Sequence, residues 1–329
     1  MSSVRMSLAC WDYDRVRPLQ DGRVRVSGVD LTFISLRVEE IFFRMLRHKE
    51  FDAAEMSLSS YVLTLREQPP PFVAIPAFPS KSFRHSGIFV HENAGISEPA
   101  DLAGKTVGVP EYQMTAGVWI RGMLADEHGV PVDSIRYRTG GLEEPGREEK
   151  IPLQLPARFD VAPVPADRSL SEMLATGELD AVFSTDPPSC FGSAKGVTRL
   201  FADFRAEEEK YYARTSVLPI MHVVVMRREV LERDPWIAQS LYRAFEAAKQ
   251  LAYADLFELA APRVMLPWLA AESQRMREVF GDDFWSYGVE ANRHTLETFL
   301  RYSHEQGIAD RRYTADELFA PSTLETWRK

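Results

Sequence analysis

Two cysteines, Cys10 and Cys190, are all that 329 residues contain. Two isolated thiols build neither a disulfide framework nor a zinc-ligand spacing, and both read as small buried hydrophobes. Long apolar runs are missing as well. No stretch is long and apolar enough to span a bilayer. The opening Met1 to Cys10 lacks the apolar segment of a signal peptide, and Asp12, Asp14 and Arg15 follow at once. A cytoplasmic protein with no membrane partner is expected. Internal repeats, low-complexity tracts and the spacings H-x-H and H-E-x-x-H are absent. So is any excess of positive charge. A net charge of -9 and a pI near 5.4 argue against nucleic acid as a partner. They leave room for an anionic small ligand, because a local Arg/His cluster can oppose the global charge.

What is present is an ordinary globular composition, 45% hydrophobic and 26% charged. At about 150 residues per domain, two domains are expected. The first part alternates strand and helix, as open α/β sheets do. Val4 to Trp11 and Val29 to Leu36 read as strands. Val38 to Lys49 reads as a helix, with Ile41, Phe42, Met45 and Leu46 at helical spacing, Glu39 and Glu40 early and Arg47, His48 and Lys49 late. Phe51 to Ser57 is a short strand, and Ser57 or Ser59 can cap the helix after it. Thr115 to His128 is a helix burying Val118, Met123 and Leu124. The charged stretch Glu143 to Glu149 reads as a solvated loop, and the chain beyond Pro235 is mostly helical.

Two distant stretches share a character. Phe83 to His91 and Pro219 to Met226 each carry a basic or His-bearing turn into a β-branched, aromatic strand. We read them as a two-strand hinge, with the working site in the groove beside it. The expected lobes are 1–87 together with 222–329, whose C-terminus is helical, and 88–221. Trp268, Phe284, Trp285 and Tyr287 would either cover a partner subunit in a homo-oligomer or pack on their own lobe.

Leu102-x-Gly104-Lys105-x-Val107-Gly108-Val109, followed by Leu174-x-x-Gly177-x-Leu179-Asp180-Ala181, resembles the second lobe of type II periplasmic binding proteins. A narrower resemblance runs nearly end to end. It takes in Tyr13 to Leu19, Phe51 to Tyr61, Phe83 to Ser86, Val109 to Gly122 and Pro219 to Val224. Together these look like the 4,5-dihydroxyphthalate decarboxylase family. The resemblance implies a two-lobed α/β binding-protein fold turned to enzymatic use. It implies a reaction that removes carbon dioxide from a hydroxylated aromatic diacid, giving protocatechuate from 4,5-dihydroxyphthalate.

Such a reaction needs a proton for the ring carbon, loss of the proton from the para hydroxyl, and cations for the carboxylate that stays. No electron-sink cofactor is required, since a phenol is its own electron source. A divalent metal on His85, His222 and Glu55 is the alternative, and no ligand spacing supports it. The catalytic candidates are His222 and His85, which titrate near neutral pH, and Glu55 at a strand's carboxyl end. Candidates for holding the aromatic carboxylate are Arg84, Arg15 and Arg121, whose forks suit carboxylates. Ser57, Ser59, Glu111 and Tyr112 join them, with Thr115 at a helix N-terminus and Trp119 as a stacking platform. Each has a structural alternative: a hydrogen-bonded hinge His, a Glu55 paired to Arg, an Arg121 salt bridge, a core Trp119. The competing functions are a solute-binding protein for an aromatic acid and a cytoplasmic ligand sensor.

Overall fold

The computed structural model describes residues 3–192 and 196–324. The outermost ends of the expected lobes, 1–2 and 325–329, lie outside them. The chain divides into two compact units. The first takes the chain up to Lys81, Ile220–Glu297 and the chain from Tyr313 on; the second is Ser82–Pro219 with Thr298–Arg312.

Among the described residues the strands run in chain order: β1 (Val4–Cys10), β2 (Val29–Ser35), β3 (Ala53–Ser57), β4 (Phe72–Lys81), β5 (Ile88–His91), β6 (Thr106–Val109), β7 (Arg136–Thr139), β8 (Val161–Pro163), β9 (Ala181–Phe183), β10 (Val197–Arg199) and β11 (Ile220–Arg227). They form two sheets, ordered β2-β1-β3-β11-β4 in the first unit and β10-β5-β9-β6-β7-β8 in the second.

In the first unit β1, β2 and β3 are parallel, and β11 runs antiparallel to both β3 and β4. Buried strands need no polar face, which is why Val223, Val224 and Val225 read as a continuous apolar run. The register sets His222 opposite Ser57 and Val224 opposite Glu55. Directly opposed residues share a face, so Glu55, Ser57 and His222 rise from the same side of the sheet. Pro76 and Pro79 lie inside β4 and cannot donate to a ladder. The pairing slips there: Val224 faces Ile75, whereas His222 faces Ser80. The Phe78 and Pro79 carbonyls beside this bulge accept side-chain donors, from Trp285 and Arg15. The helix Val38–His48 covers the sheet with Ile41, Phe42 and Met45, and its end charges match the helix dipole as expected.

In the second unit β6 pairs in parallel with β7 and β9, and β5 pairs antiparallel with β9 and β10. Phe89, Leu170, Leu174, Leu179, Val182, Cys190 and Val197 form a core against this sheet. The stretch 83–91 is the expected turn running into a strand. His85–Gly87 is a single tight turn, and the strand begins at Ile88.

The C-terminal third also departs from the expectation that 222–329 belongs to one lobe. Thr298–Arg312 is part of the second unit. The reason lies in the helix Thr115–His128, which is buried all round from Thr115 to Leu124 and needs cover on every face. Trp119 stacks against Phe299 and Tyr302, with ring centroids 5.3 and 5.7 Å away. Gly122 permits the contact, because a Cβ there would meet the Tyr302 ring at 2.2 Å. The aromatic residues offered to a partner subunit are mostly spoken for. Tyr287 is buried, Phe284 packs on Tyr253, and Trp285 donates its indole N–H to the Phe78 carbonyl at 3.0 Å. Trp268 alone of the four is strongly exposed, at 75%. Among the described residues no helix is long and apolar enough to cross a membrane.

Candidate active site

Glu55 is fully buried at the centre of the first unit's sheet. A buried carboxylate must be satisfied, and this one has four donors. Oε1 lies 2.6 Å from His222 Nδ1 and accepts the Tyr13 hydroxyl at 2.7 Å. Oε2 accepts the Trp11 N–H at 3.0 Å and faces the Cys10 thiol at 3.4 Å. Burial alone would push the Glu55 pKa up. The hydrogen bond and charge of His222, with the bonds from Trp11 and Tyr13, more than offset it, so the carboxyl titrates below its ordinary value. Burial first, and then the charge of Glu55, pushes Tyr13 and Cys10 the other way, so both stay protonated and act as donors.

This arrangement changes the role expected for Glu55. A carboxylate bound by four donors is suited to orienting its partners rather than to taking up a proton. Its contact with Nδ1 fixes the orientation of the His222 ring and leaves Nε2 unengaged by Glu55. Phe42 meets the imidazole edge-on, with centroids 5.0 Å apart.

Arg15 stands on the loop after β1. Its guanidinium carbon lies 4.3 Å from the Tyr13 ring centroid and 4.2 Å from that of Trp285. Nε donates to the Pro79 carbonyl at 2.7 Å, and Nη1 to Asp14 at 2.9 Å. Two rings and a bulge carbonyl thus hold the fork in one orientation. Among the described residues no hydrogen bond of the chain occupies Nη2, and the side chain keeps 16% exposure. Ser57 accepts the Ser60 N–H and caps the helix Leu58–Thr64, while Ser59 is wholly buried in that helix's first turn. Both are local scaffolding.

The second unit spends most of its expected site residues internally. Arg121 is buried, donates from Nε to Gln306 at 2.7 Å and from Nη2 to the Tyr112 carbonyl at 2.7 Å, and stacks 3.9 Å over the Tyr112 ring. Gln306 belongs to the C-terminal segment, so Arg121 and Trp119 are the fastenings of that segment. Neither is a clamp or stacking platform for a ligand. Glu111 is buried and bound by Arg147 at 2.7 Å and by the Lys150 ammonium. Glu149 receives the backbone N–H groups of Tyr112 and Gln113. The charged loop expected to be solvated therefore folds back, and its own carboxylate sits where a ligand carboxylate was expected ahead of Thr115. Thr115 is buried too.

His85 is packed edge-on between Phe201 and Tyr211, each 5.3 Å away. Its Nδ1 lies 3.9 Å from Glu208. That distance would suit an ion pair, but burial drives both partners toward neutrality. It pushes His85 down to about 4, helped by His128, and Glu208 up to about 7. Burial also draws Arg84, in the same unit, down to about 10, against the charges of Asp186 and Glu208. His85 is thus buried among aromatic rings, and burial favours its neutral form.

The pH consequence has a definite sign. His85 titrates lower folded than unfolded, so its contribution to stability is present above about 6.5 and is lost as pH falls toward about 4. The full separation corresponds to about 3 kcal/mol. Glu208 has the opposite sign: its contribution is present below about 4.5 and is lost as pH rises through about 7. His85→Leu should therefore lose about 2–3 kcal/mol less stability than the parent between pH 6.5 and pH 4, read from urea midpoints. Equal losses in the two proteins would show that His85 is not buried as the neutral form.

Tyr13, Cys10 and Trp285 did not emerge from the sequence as site residues. Tyr13 shares a motif with Arg15, which is the one signal that pointed to it. Trp285 had none, because the bulge carbonyl that orients it is 207 positions away. Among the described residues no three or more His, Cys, Asp or Glu side chains are grouped to hold a metal ion.

No family model matches the chain. Over all 329 residues it is 42% identical to 4,5-dihydroxyphthalate decarboxylase of Comamonas testosteroni, covering 100% of both chains. It is 45% identical over 218 residues to the protein of that name from Pseudomonas putida, covering 66% of this chain and 84% of the other. Among solved structures, the periplasmic aliphatic sulphonate binding protein SsuA of Escherichia coli aligns over 98% of this chain and 99% of its own, with a TM-score of 0.53 and 13% identity. A mutant of the desulfurization enzyme DSZB in complex with biphenyl-2-sulfinic acid aligns over 97% of each chain, with a TM-score of 0.51 and 16% identity. At such identities these two likenesses establish the fold, a periplasmic-binding-protein-like α/β fold.

Proposed function

The chain belongs to the 4,5-dihydroxyphthalate decarboxylase family, and from that premise we propose that it converts 4,5-dihydroxyphthalate to protocatechuate and carbon dioxide. The observation that carries this reading is the 42% identity across the full length of both proteins. The Glu55–His222 pair and the clamped Arg15 supply a chemical rationale.

Loss of carbon dioxide from an arene leaves an electron pair that a proton must take. In our reading protonated His222 gives its Nε2 proton to the ring carbon bearing the departing carboxylate. The para hydroxyl hands its proton to solvent, its oxygen pushes electron density toward that carbon, and it takes a proton back from solvent once the ring is restored. The C–C bond then breaks, its electron pair restores the aromatic ring, and carbon dioxide leaves. One proton is consumed for each molecule turned over, and no oxidant or electron sink is required. Glu55 holds the imidazole in one orientation and stabilises its charged form. Arg15 binds the carboxylate that stays.

The test is direct. Purified protein mixed with 4,5-dihydroxyphthalate should release carbon dioxide and protocatechuate in equal amounts. In deuterium oxide the product should carry deuterium at the vacated carbon. Binding of the diacid without turnover would overturn the proposal and favour a solute-binding or sensing role.

A further inference from the structure

We infer that Tyr13 is a positioning residue that joins the proton-carrying imidazole to the carboxylate-holding guanidinium. The inference rests on the roles proposed above for His222 and Arg15. Its own evidence is that one side chain makes both contacts. The hydroxyl donates to Glu55 Oε1 at 2.7 Å, the oxygen that also holds His222 Nδ1. The ring forms one wall of the Arg15 stack, at 4.3 Å.

The backbone makes this possible. Tyr13 N donates to Trp11 O, and Val16 and Arg17 both donate to Tyr13 O, so the loop after β1 is a closed turn that fixes where the phenol begins. Two donors on one carboxylate oxygen compete for the same electron density. The tyrosine hydroxyl therefore sets how strongly Oε1 draws on the His222 Nδ1–H. The other groups facing this pair are few. β1 and its end bring the Cys10 thiol and the Trp11 N–H, both on Oε2. The loop brings Arg15, β3 and β4 bring Ser57 and Ser80 opposite His222, and the helix Val38–His48 brings the uncharged Phe42. The Tyr13 hydroxyl also lies 3.5 Å from His222 Nδ1, and Arg15 is the cation that the tyrosine ring holds.

Filling space would require only the ring. The hydroxyl and the ring should therefore separate in experiment. Tyr13→Phe keeps the wall and removes the donor. Turnover should fall roughly tenfold, with KM changed less than about twofold. Tyr13→Leu removes both, and should add a fivefold to tenfold rise in KM to a similar loss of turnover. A proton NMR spectrum gives a readout independent of catalysis. The hydrogen-bonded Nδ1–H of His222, identified by its absence in His222→Gln, should move further downfield in Tyr13→Phe, because Oε1 is left with a single donor. An unmoved resonance with unchanged turnover in Tyr13→Phe overturns the inference, as does a KM in Tyr13→Leu no higher than in Tyr13→Phe. A moved resonance with unchanged turnover supports the Tyr13–Glu55–His222 link and counts instead against His222 as the proton carrier. Should Tyr13→Leu not fold, Tyr13→Phe and its spectrum decide the matter.

Discussion

His222→Gln should lower turnover by about 10²–10⁴-fold, the range that a positioned acid or base supplies. Glutamine is chosen because its amide N–H can still donate to Glu55, so the buried carboxylate keeps its partners and the fold is preserved. What is lost is the imidazole nitrogen proposed to carry the proton. With the staying carboxylate assigned to Arg15 in our proposal, KM should change little, and the defect should lie in kcat. Steady-state kinetics alongside circular dichroism would check this. A folded His222→Gln protein with near-parental kcat would remove the imidazole from the mechanism.

Glu55→Gln should have a comparable effect on turnover through a different route. The amide has almost the size of the carboxylate but replaces one acceptor oxygen with a donor. Four donors converge on Glu55, two on each oxygen. Whichever way the amide turns, one pair is left facing a donor. Each buried donor without a partner costs about 1–3 kcal/mol. If the amide oxygen faces Trp11 and Cys10, His222 loses its orienter. If it faces His222 and Tyr13, the imidazole is held by a neutral group that stabilises its charged form less. In serine proteases the analogous change behind a catalytic His lowers kcat about 10⁴-fold. We expect a loss of about 10²–10⁴-fold here, with a lower urea midpoint. Unchanged kcat in a destabilised protein would make Glu55 a folding residue alone.

Local pattern made much of the fold legible. The helices Val38–His48 and Thr115–His128 begin where apolar spacing placed them, and the alternation of strand and helix gave the class. Strand register was not legible, and register is what brings Glu55 and His222 together across 167 positions. Their candidacy came from strand ends and residue type, while their hydrogen bond came from the pairing of β3 with β11. The second unit's residues misled for a related reason. Arg121, Glu111 and Tyr112 look like ligand binders only while Gln306, Arg147 and Glu149 are not yet seen beside them. A polar residue's partner lies elsewhere in the sequence, and nothing in its own neighbourhood names it.

The bulge in β4 has a consequence for how molecules of this protein meet one another. β4 is the outer strand of its sheet, and an outer strand offers its backbone to any passing chain. Here the offer is withdrawn. Pro76 and Pro79 supply no N–H, and the carbonyls of Ala74, Pro76, Phe78 and Pro79 are taken by Ala320, Gly288, Trp285 and Arg15. The row of acceptors that would recruit a stray strand is instead the fixture that steadies Arg15. Guarding against intermolecular β-pairing and holding this guanidinium in place are one piece of architecture, so a change that loosens Arg15 from Pro79 also uncovers an adhesive edge.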